Sequence, residues 1–308
     1  MAAGRFAPSP TGDLHLGNLR TALVAWLFAR HAGSSFVVRM EDLDRAQASA
    51  EHERSQLADL SALGLDWDGE VVRQSDRFDR YEAAIAQLTD AGLTYACSCT
   101  RREIREAASA PHGDPVVGGA YPGTCRNLTD DERRAQAASG RPLALRLQGP
   151  GTEHTIHDDL LGDVTALVDD VVLRRNDGVP AYNLAVVVDD AAQGVEQVVR
   201  ADDLATSAPR QRYLAGLLGL PPVAYAHVPL VVSRSGDRLA KRDGAVTLSD
   251  QVARGRTAAE VCGLLAASLG LMTRDDPISP IELVGDFDPA CLPRDPWVFI
   301  DREPRTSP

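Results

Sequence analysis

The chain has 308 residues, 44% of them apolar and 25% charged, with a formal net charge of −12. That length can bury a full core and allows about two domains. There is no apolar run long enough to span a bilayer and no basic-then-apolar leader, so a cytoplasmic protein is expected. The acidic balance excludes a protein held to nucleic acid by a global basic field, though not one with a local basic surface.

Residues 5–18 read R-F-A-P-S-P-T-G-D-L-H-L-G-N. Arg5, Phe6 and Ala7 suit a short buried strand, and Pro8, Pro10 and Gly12 then break regular structure. From Gly17 the apolar positions Leu19, Leu23, Val24, Leu27 and Phe28 fall at helical spacing, and Gly33 stops the helix. Its start carries His15, Gly17 and Asn18. A helix N-terminus offers free N–H groups and a positive dipole end, so an anion, above all a phosphate, is expected there. Gly17 would let a flat ligand approach, and His15 can donate to phosphate oxygens. Residues 35–40 then read as a buried strand that runs straight into Glu41, Asp42, Leu43 and Asp44. In open α/β sheets ligands bind beyond the carboxyl ends of strands, which puts Glu41 where a substrate-facing carboxylate is expected. Asp42 or Asp44 could instead cap a helix near 48–63. An amphipathic helix follows over 75–91, with Tyr81, Ile85 and Leu88 on one face, and leads into a strand at 93–96.

Next come Cys97, Cys99 and, after a Gly/Pro-rich segment, Cys125. Three thiols without a leader peptide, two of them in C-x-C spacing, supply most of a tetrahedral zinc shell. His112 and Tyr121 are the candidates for the fourth place; a closed shell of this kind is structural. Arginines cluster from Arg101 to Arg146, as a solvated face or an RNA contact. A charged helix capped by Thr129 or Asp130 and short strands near 143–147, 154–157 and 163–168 complete what reads as a small mixed insertion over 97–170.

Beyond Asp170 the chain returns to longer apolar segments around the tight-turn signal Asn176-Asp177-Gly178. Residues 181–204 contain Y-N-L-A-V-V-V-D-D and V-V-R-A-D-D-L, followed by a helix stopped by Gly219 and Pro221. An apolar strand over 228–232 opens into a polar loop, S-R-S-G-D-R-L-A-K-R-D-G-A. Lys241 in that loop is the only lysine in the chain. A compact, flexible ammonium differs from an arginine fork, so its survival here points to a specific task. Helices up to about 271 lead into a Pro-rich tail. No G-x-x-x-x-G-K-[ST] occurs, which excludes a P-loop NTPase.

P-S-P-T-G-x-L-H-L-G-N closely resembles the HIGH signature of the class I aminoacyl-tRNA synthetases in its glutamyl/glutaminyl form, and R-L-A-K-R resembles their KMSKS signature. The resemblance runs to about residue 271. It implies an α/β fold with a Rossmann-type parallel sheet in two halves (1–96 and 171–235), a zinc-bearing insertion (97–170) and a helical C-terminal part with the KMSKS-like loop (236–308). It also implies roles. His15 and Lys241 would act on the phosphates of ATP, with Gly17 and Asn18 beside them and Mg²⁺ accompanying the nucleotide. Arg5, Phe6, Ala7, Pro8, Ser9, Glu41, Tyr182 and Arg200 would hold L-glutamate. For Arg200 the chemistry agrees, since a planar guanidinium suits a carboxylate; for Tyr182 the residues alone suggest only a half-buried aromatic at a strand end. C-x-C…Y-x-x-x-C is similar to the zinc site of the short glutamyl-Q tRNA(Asp) synthetase family, which favours Tyr121 over His112 beside Cys97, Cys99 and Cys125. That family activates glutamate without tRNA and transfers it to queuosine in the anticodon loop of tRNA(Asp). Glutamyl-tRNA synthetases continue into an anticodon-binding domain where this chain stops, which further favours the short family. The rivals are a truncated glutamyl-tRNA synthetase charging tRNA(Glu) and a non-catalytic synthetase-like regulator. Arg238 in place of the first lysine and Ala240 in place of the serine depart from KMSKS. A monomer is expected.

Overall fold

The computed structural model describes residues 2–100, 102–104, 121–239 and 246–300. Lys241 and His112 lie outside the described residues. The chain begins with β1 (Ala3–Phe6), buried along its whole length, and passes through the Pro/Gly loop into α1 (Leu16–His31). β2 (Ser35–Met40), α2 (Ala50–Ala62), β3 (Val72–Arg73) and α3 (Phe78–Asp90) follow. Then come β4 (Thr94–Cys97), α4 (Asp130–Ala138), β5 (Ala144–Leu147), β6 (Thr152–Asp158), β7 (Gly162–Val168) and β8 (Val172–Arg174). The last third holds α5 (Tyr182–Ala192), β9 (Val195–Ala201), α6 (Ala208–Leu217), β10 (Ala224–Val228), β11 (Val231–Val232), α7 (Leu248–Ala253), α8 (Ala258–Ser268), α9 (Pro280–Leu283) and β12 (Trp297–Val298).

Seven strands form the main sheet in the order β3-β2-β1-β9-β10-β6-β7. Every pairing in it is parallel except β6 with β7, so the Rossmann-type reading is borne out. β1 lies inside it, between β2 and β9, and packs against α1. A Cβ on Gly4 would lie 3.0 Å from the Ala29 Cβ, so the glycine lets the helix approach the strand closely. α1 buries ten of its sixteen residues and is a core helix rather than a surface one. Its Arg20 is 1% exposed and bonds the Pro229 carbonyl at 2.8 Å and Ser268 through Oγ at 3.1 Å, which ties α1 to the end of α8.

A three-stranded antiparallel sheet, β4-β5-β8, is the small second layer. Two sequence expectations need correction. The strands read near 154–157 and 163–168 as parts of the insertion form the β6–β7 hairpin at the edge of the main sheet. β6 joins β10 through Asp158 and Tyr225, a pairing across 67 residues that local alternation cannot reveal. Nor do Asp42 and Asp44 cap the next helix. α2 starts only at Ala50, so the cap falls to Ser49, which accepts from the His52 N–H at 3.1 Å, while Asp42 accepts from Ser75 N and Oγ at 2.8 and 2.6 Å. Thr129 caps α4, as expected, through a reciprocal pair with Glu132.

Under the sheet's centre lies a knot of buried charge. Asp189, fully buried on α5, accepts from Gln74 Nε2 at 2.9 Å, Tyr81 Oη at 2.8 Å and Arg77 Nε at 2.6 Å. Arg39, also fully buried, lies 2.8 Å from Asp190 and 3.8 Å from Asp189. Removing one member of such a knot strands its partners without water. Asp189→Ala should therefore cost about 3–5 kcal/mol, read as a lower urea midpoint at unchanged slope.

Candidate active site

The carboxyl ends of β1, β2 and β9 open onto a cavity of about 540 Å³. Arg5, Phe6, Ala7, Pro8, Ser9, His15, Asn18, Glu41, Tyr182 and Arg200 all line it. Gly17 does not, and the structure gives it another task. A Cβ there would fall 2.9 Å from two atoms of the His15 ring and 3.3 Å from Val231 Cβ, so the glycine makes room for the imidazole. Tyr182 stands at the first residue of α5, 37% exposed at the cavity rim, and not at a strand end.

One side of the cavity is the start of α1. His15 is its N-cap: Nδ1 accepts from the Asn18 N–H at 3.2 Å, and Asn18 Oδ1 accepts from the His15 N–H at 3.2 Å. Accepting at Nδ1 leaves the proton on Nε2, so a neutral His15 still has an N–H to donate. Burial, helped by the nearby positive Arg238, holds the His15 pKa down at about 4. No acidic residue occupies the first turn, so the dipole end stays open to an anion. The Pro/Gly loop beneath is pinned by Gln56 of α2, which donates to the Ser9 and Gly12 carbonyls at 3.0 and 2.7 Å.

The other side is charged. Arg5, 4% exposed, donates from Nη1 to the Val199 carbonyl at 2.9 Å and lies 3.6 Å from Asp190. Burial lowers its pKa against the pull of Asp190. Glu41 lies 3.4 Å from Arg39; burial raises its carboxyl, and Arg39 and Arg5 oppose that rise. Arg200 spends all five of its N–H groups on the protein. Nε bonds His227 at 3.0 Å, Nη1 bonds Gln211 at 2.8 Å and Tyr182 Oη at 3.4 Å, and Nη2 bonds the Leu204 carbonyl at 3.2 Å and Ser207 Oγ at 3.1 Å. The bond to the exposed Tyr182 is the longest, and the one a carboxylate entering the cavity could replace. Sequence reasoning missed Gln56, Asp203 and Gln211, and it noted Arg238 only as a departure. Arg238 bonds Asp203 at 2.8 Å on the rim. Gln56, Asp203 and Arg238 line the cavity, whereas Gln211 acts on it only through its bond to Arg200, and the fold brings each of them there from a distant part of the chain.

Away from the cavity, at the end of β4, the Sγ atoms of Cys97, Cys99 and Cys125 lie within 4.8 Å of one another. Tyr121 Oη stands 3.4 Å from Cys97 Sγ and 3.5 Å from Cys99 Sγ, and accepts from the Cys125 N–H at 2.8 Å. Three soft sulfurs and one oxygen converging on a point form a donor set that fits a tetrahedral metal. The Arg146 guanidinium covers the Tyr121 ring at 3.7 Å from its centroid. Of the other described arginines in this third of the chain, Arg126 pairs with Asp170, Arg133 with Asp130, Arg134 with Asp131 and Arg141 with Glu103.

Residues 2–266 match the family model described as tRNA synthetases class I (E and Q), catalytic domain. The chain is 64% identical to a glutamyl-Q tRNA(Asp) synthetase of Nocardia farcinica, over 97% of this chain and 93% of the relative. It is 54% identical to a protein of the same name from Cutibacterium acnes, over 99% of this chain and 85% of that one. Among solved structures, a glutamate tRNA ligase from Elizabethkingia meningosepticum in complex with its amino acid superposes with a TM-score of 0.81 at 25% identity, covering 97% of this chain and 67% of that one.

The His15 environment sets a pH dependence. The folded value, about 4, lies below the ordinary 6.5, so the unfolded chain takes up the proton first. The contribution to stability is whole above pH 6.5 and is lost progressively as the pH falls towards 4. Urea midpoints of wild type should therefore fall more between pH 7 and pH 5 than those of His15→Asn.

Proposed function

We propose that this chain, which belongs to the class I tRNA synthetases of the E and Q type and among them to the glutamyl-Q tRNA(Asp) synthetase family, activates L-glutamate with ATP and does so without tRNA. It is a ligase-type enzyme, and the acceptor in this reading is the queuosine base in the anticodon loop of tRNA(Asp). The observation that carries the reading is one cavity with two unlike walls: a helix start free of acids on one side, and Arg5, Arg200 and Glu41 on the other.

Glutamate brings two carboxylates and one ammonium. Arg5 and Arg200 match the carboxylates by charge and by the planar fork, and Glu41 matches the ammonium. Phe6, Ala7, Pro8 and Ser9 line the same cavity. ATP places its phosphates at the start of α1, where His15 donates from Nε2 and the dipole favours negative charge. Mg²⁺ accompanies ATP and offsets the charge of the triphosphate. The α-carboxylate oxygen attacks the α-phosphorus in line, the bond to the β-phosphate breaks, and pyrophosphate leaves with the electron pair. Positioning and charge stabilisation do most of this work, so no activated nucleophile of the protein is needed. Lys241 neutralises charge that develops on the leaving pyrophosphate. A queuosine hydroxyl then attacks the acyl carbon, releasing AMP.

Zinc is the metal proposed for Cys97, Cys99, Tyr121 and Cys125. With all four positions filled it would cross-link β4 to the segment before α4 and take no part in the chemistry. Thiols of this kind persist in a reducing compartment, which supports a cytoplasmic protein.

Glutamate-dependent exchange between pyrophosphate and ATP, in the absence of tRNA, should be present in wild type and fall about a hundredfold in Lys241→Ala. Exchange absent from wild type would sink the reading in favour of a regulator. Acylation of tRNA(Asp) should require queuosine; charging of tRNA(Glu) instead would favour a truncated glutamyl-tRNA synthetase. Metal analysis should find about one zinc per chain. Tyr121→Phe should lose it at chelator concentrations that His112→Ala and wild type withstand.

A further inference from the structure

Behind Arg200, away from the cavity, three side chains stand abreast on three neighbouring parallel strands. Arg200 on β9 is in register with His227 on β10, and β10 is paired in turn with β6, which ends at Asp158. His227 and the Asp158 carboxylate are fully buried, and Arg200 is 5% exposed. His227 Nδ1 lies 2.5 Å from Asp158 Oδ2, and Arg200 Nε lies 3.0 Å from His227 Nε2. Asp158 Oδ1 accepts from the backbone N–H groups of Leu160, Leu161 and His227 at 3.0, 2.9 and 3.2 Å.

The protonation pattern of this row follows from valence alone. Arg200 Nε can only donate, so His227 Nε2 must accept and carries no proton. The ring proton therefore sits on Nδ1 and is donated to Asp158, a carboxylate already fixed by three amides. Burial and the positive Arg200 nearby keep the ring from taking a second proton, against the opposing pull of Asp158. From this geometry we infer that Asp158 and His227 are positioning residues for the amino-acid pocket: they fix the imidazole tautomer that holds Arg200 with the Nη1 edge that bonds Tyr182 facing the cavity. The inference rests on the reading of Arg200 as a glutamate-binding residue. It also accounts for the β6–β7 hairpin lying in the main sheet, since only there does Asp158 stand beside His227.

Asp158→Asn tests it with almost no change in shape. The amide oxygen can still accept from the backbone, but the NH₂ group then faces Nδ1. The proton must move to Nε2, where it opposes the Arg200 N–H. In the glutamate-dependent exchange assay, KM for glutamate should rise about tenfold to a hundredfold, with KM for ATP within twofold of wild type. Nitrogen-15 spectra of the imidazole should show Nδ1–H in wild type and Nε2–H in Asp158→Asn. His227→Gln, whose amide can donate to Asp158 and accept from Arg200, should keep KM for glutamate near wild type, whereas His227→Leu should raise it. A shifted tautomer with unchanged KM for glutamate would overturn the inference, as would Nδ1–H persisting in the variant. If Asp158→Asn does not fold, equal KM values in His227→Gln and His227→Leu would overturn it. Loss of glutamate-dependent exchange from wild type would instead refute the pocket reading, and the nitrogen-15 spectra would still decide whether Asp158 sets the tautomer.

Discussion

The site depends on a charge that has nowhere to go. Arg39 is wholly enclosed between β2 and α5, and burial alone would expel it. Asp190, Glu41 and Asp189 outweigh that cost and hold its guanidinium firmly protonated. Buried ion pairs seldom add net stability over apolar packing, so stability is a weak account of why the knot is there. Its geometry gives a better one. Asp190 is shared between Arg39 at 2.8 Å and Arg5 at 3.6 Å, and Glu41 is held by Arg39 from below. The cations and carboxylate on this side of the cavity are thus held in place by the protein itself, which in the proposed reading limits reorganisation during the reaction.

The opposite wall is fixed by different means. α1 is packed against β1 at Gly4 and tied through Arg20 to Pro229 and Ser268, so its N-terminus cannot drift. His15 serves the helix and the cavity at once. One ring nitrogen satisfies an amide that the helix leaves open, and that bond fixes which nitrogen faces the cavity with a proton. Gly17 makes the arrangement possible by leaving space for the ring. The small sheet is built on related economies: Arg146 both covers Tyr121 and donates to the Asp170 carbonyl at 2.8 Å, joining the thiol cluster to the segment that leads back to the main sheet.

Much of this was readable in the order of residues. The stretch from Arg5 to Asn18 specifies a strand, a rigid turn and a helix start in consecutive positions, and local chemistry suffices to place His15 and Asn18 on that helix start. Glu41 follows a buried strand directly and was singled out mainly by the family resemblance, and it does line the cavity; Cys97, Cys99 and Cys125, noted for their spacing, do converge. That a second block, around Tyr182 and Arg200, returns to the first was implied by the family resemblance and not by the order of residues, and both side chains line the cavity.

What tertiary structure alone decided are relations between residues far apart in sequence. The hairpin of β6 and β7 alternates as any edge hairpin does, and only its pairing with β10 puts Asp158 beside His227 and so behind Arg200. The aspartates of α5 look like the polar end of an apolar helix until the fold sets them against Arg39 and Arg5. Local propensity and spacing determine which short pieces form, since those depend on neighbours a few bonds away. Which charges face one another depends on sheet order and register, and these are settled by burial summed over the whole chain.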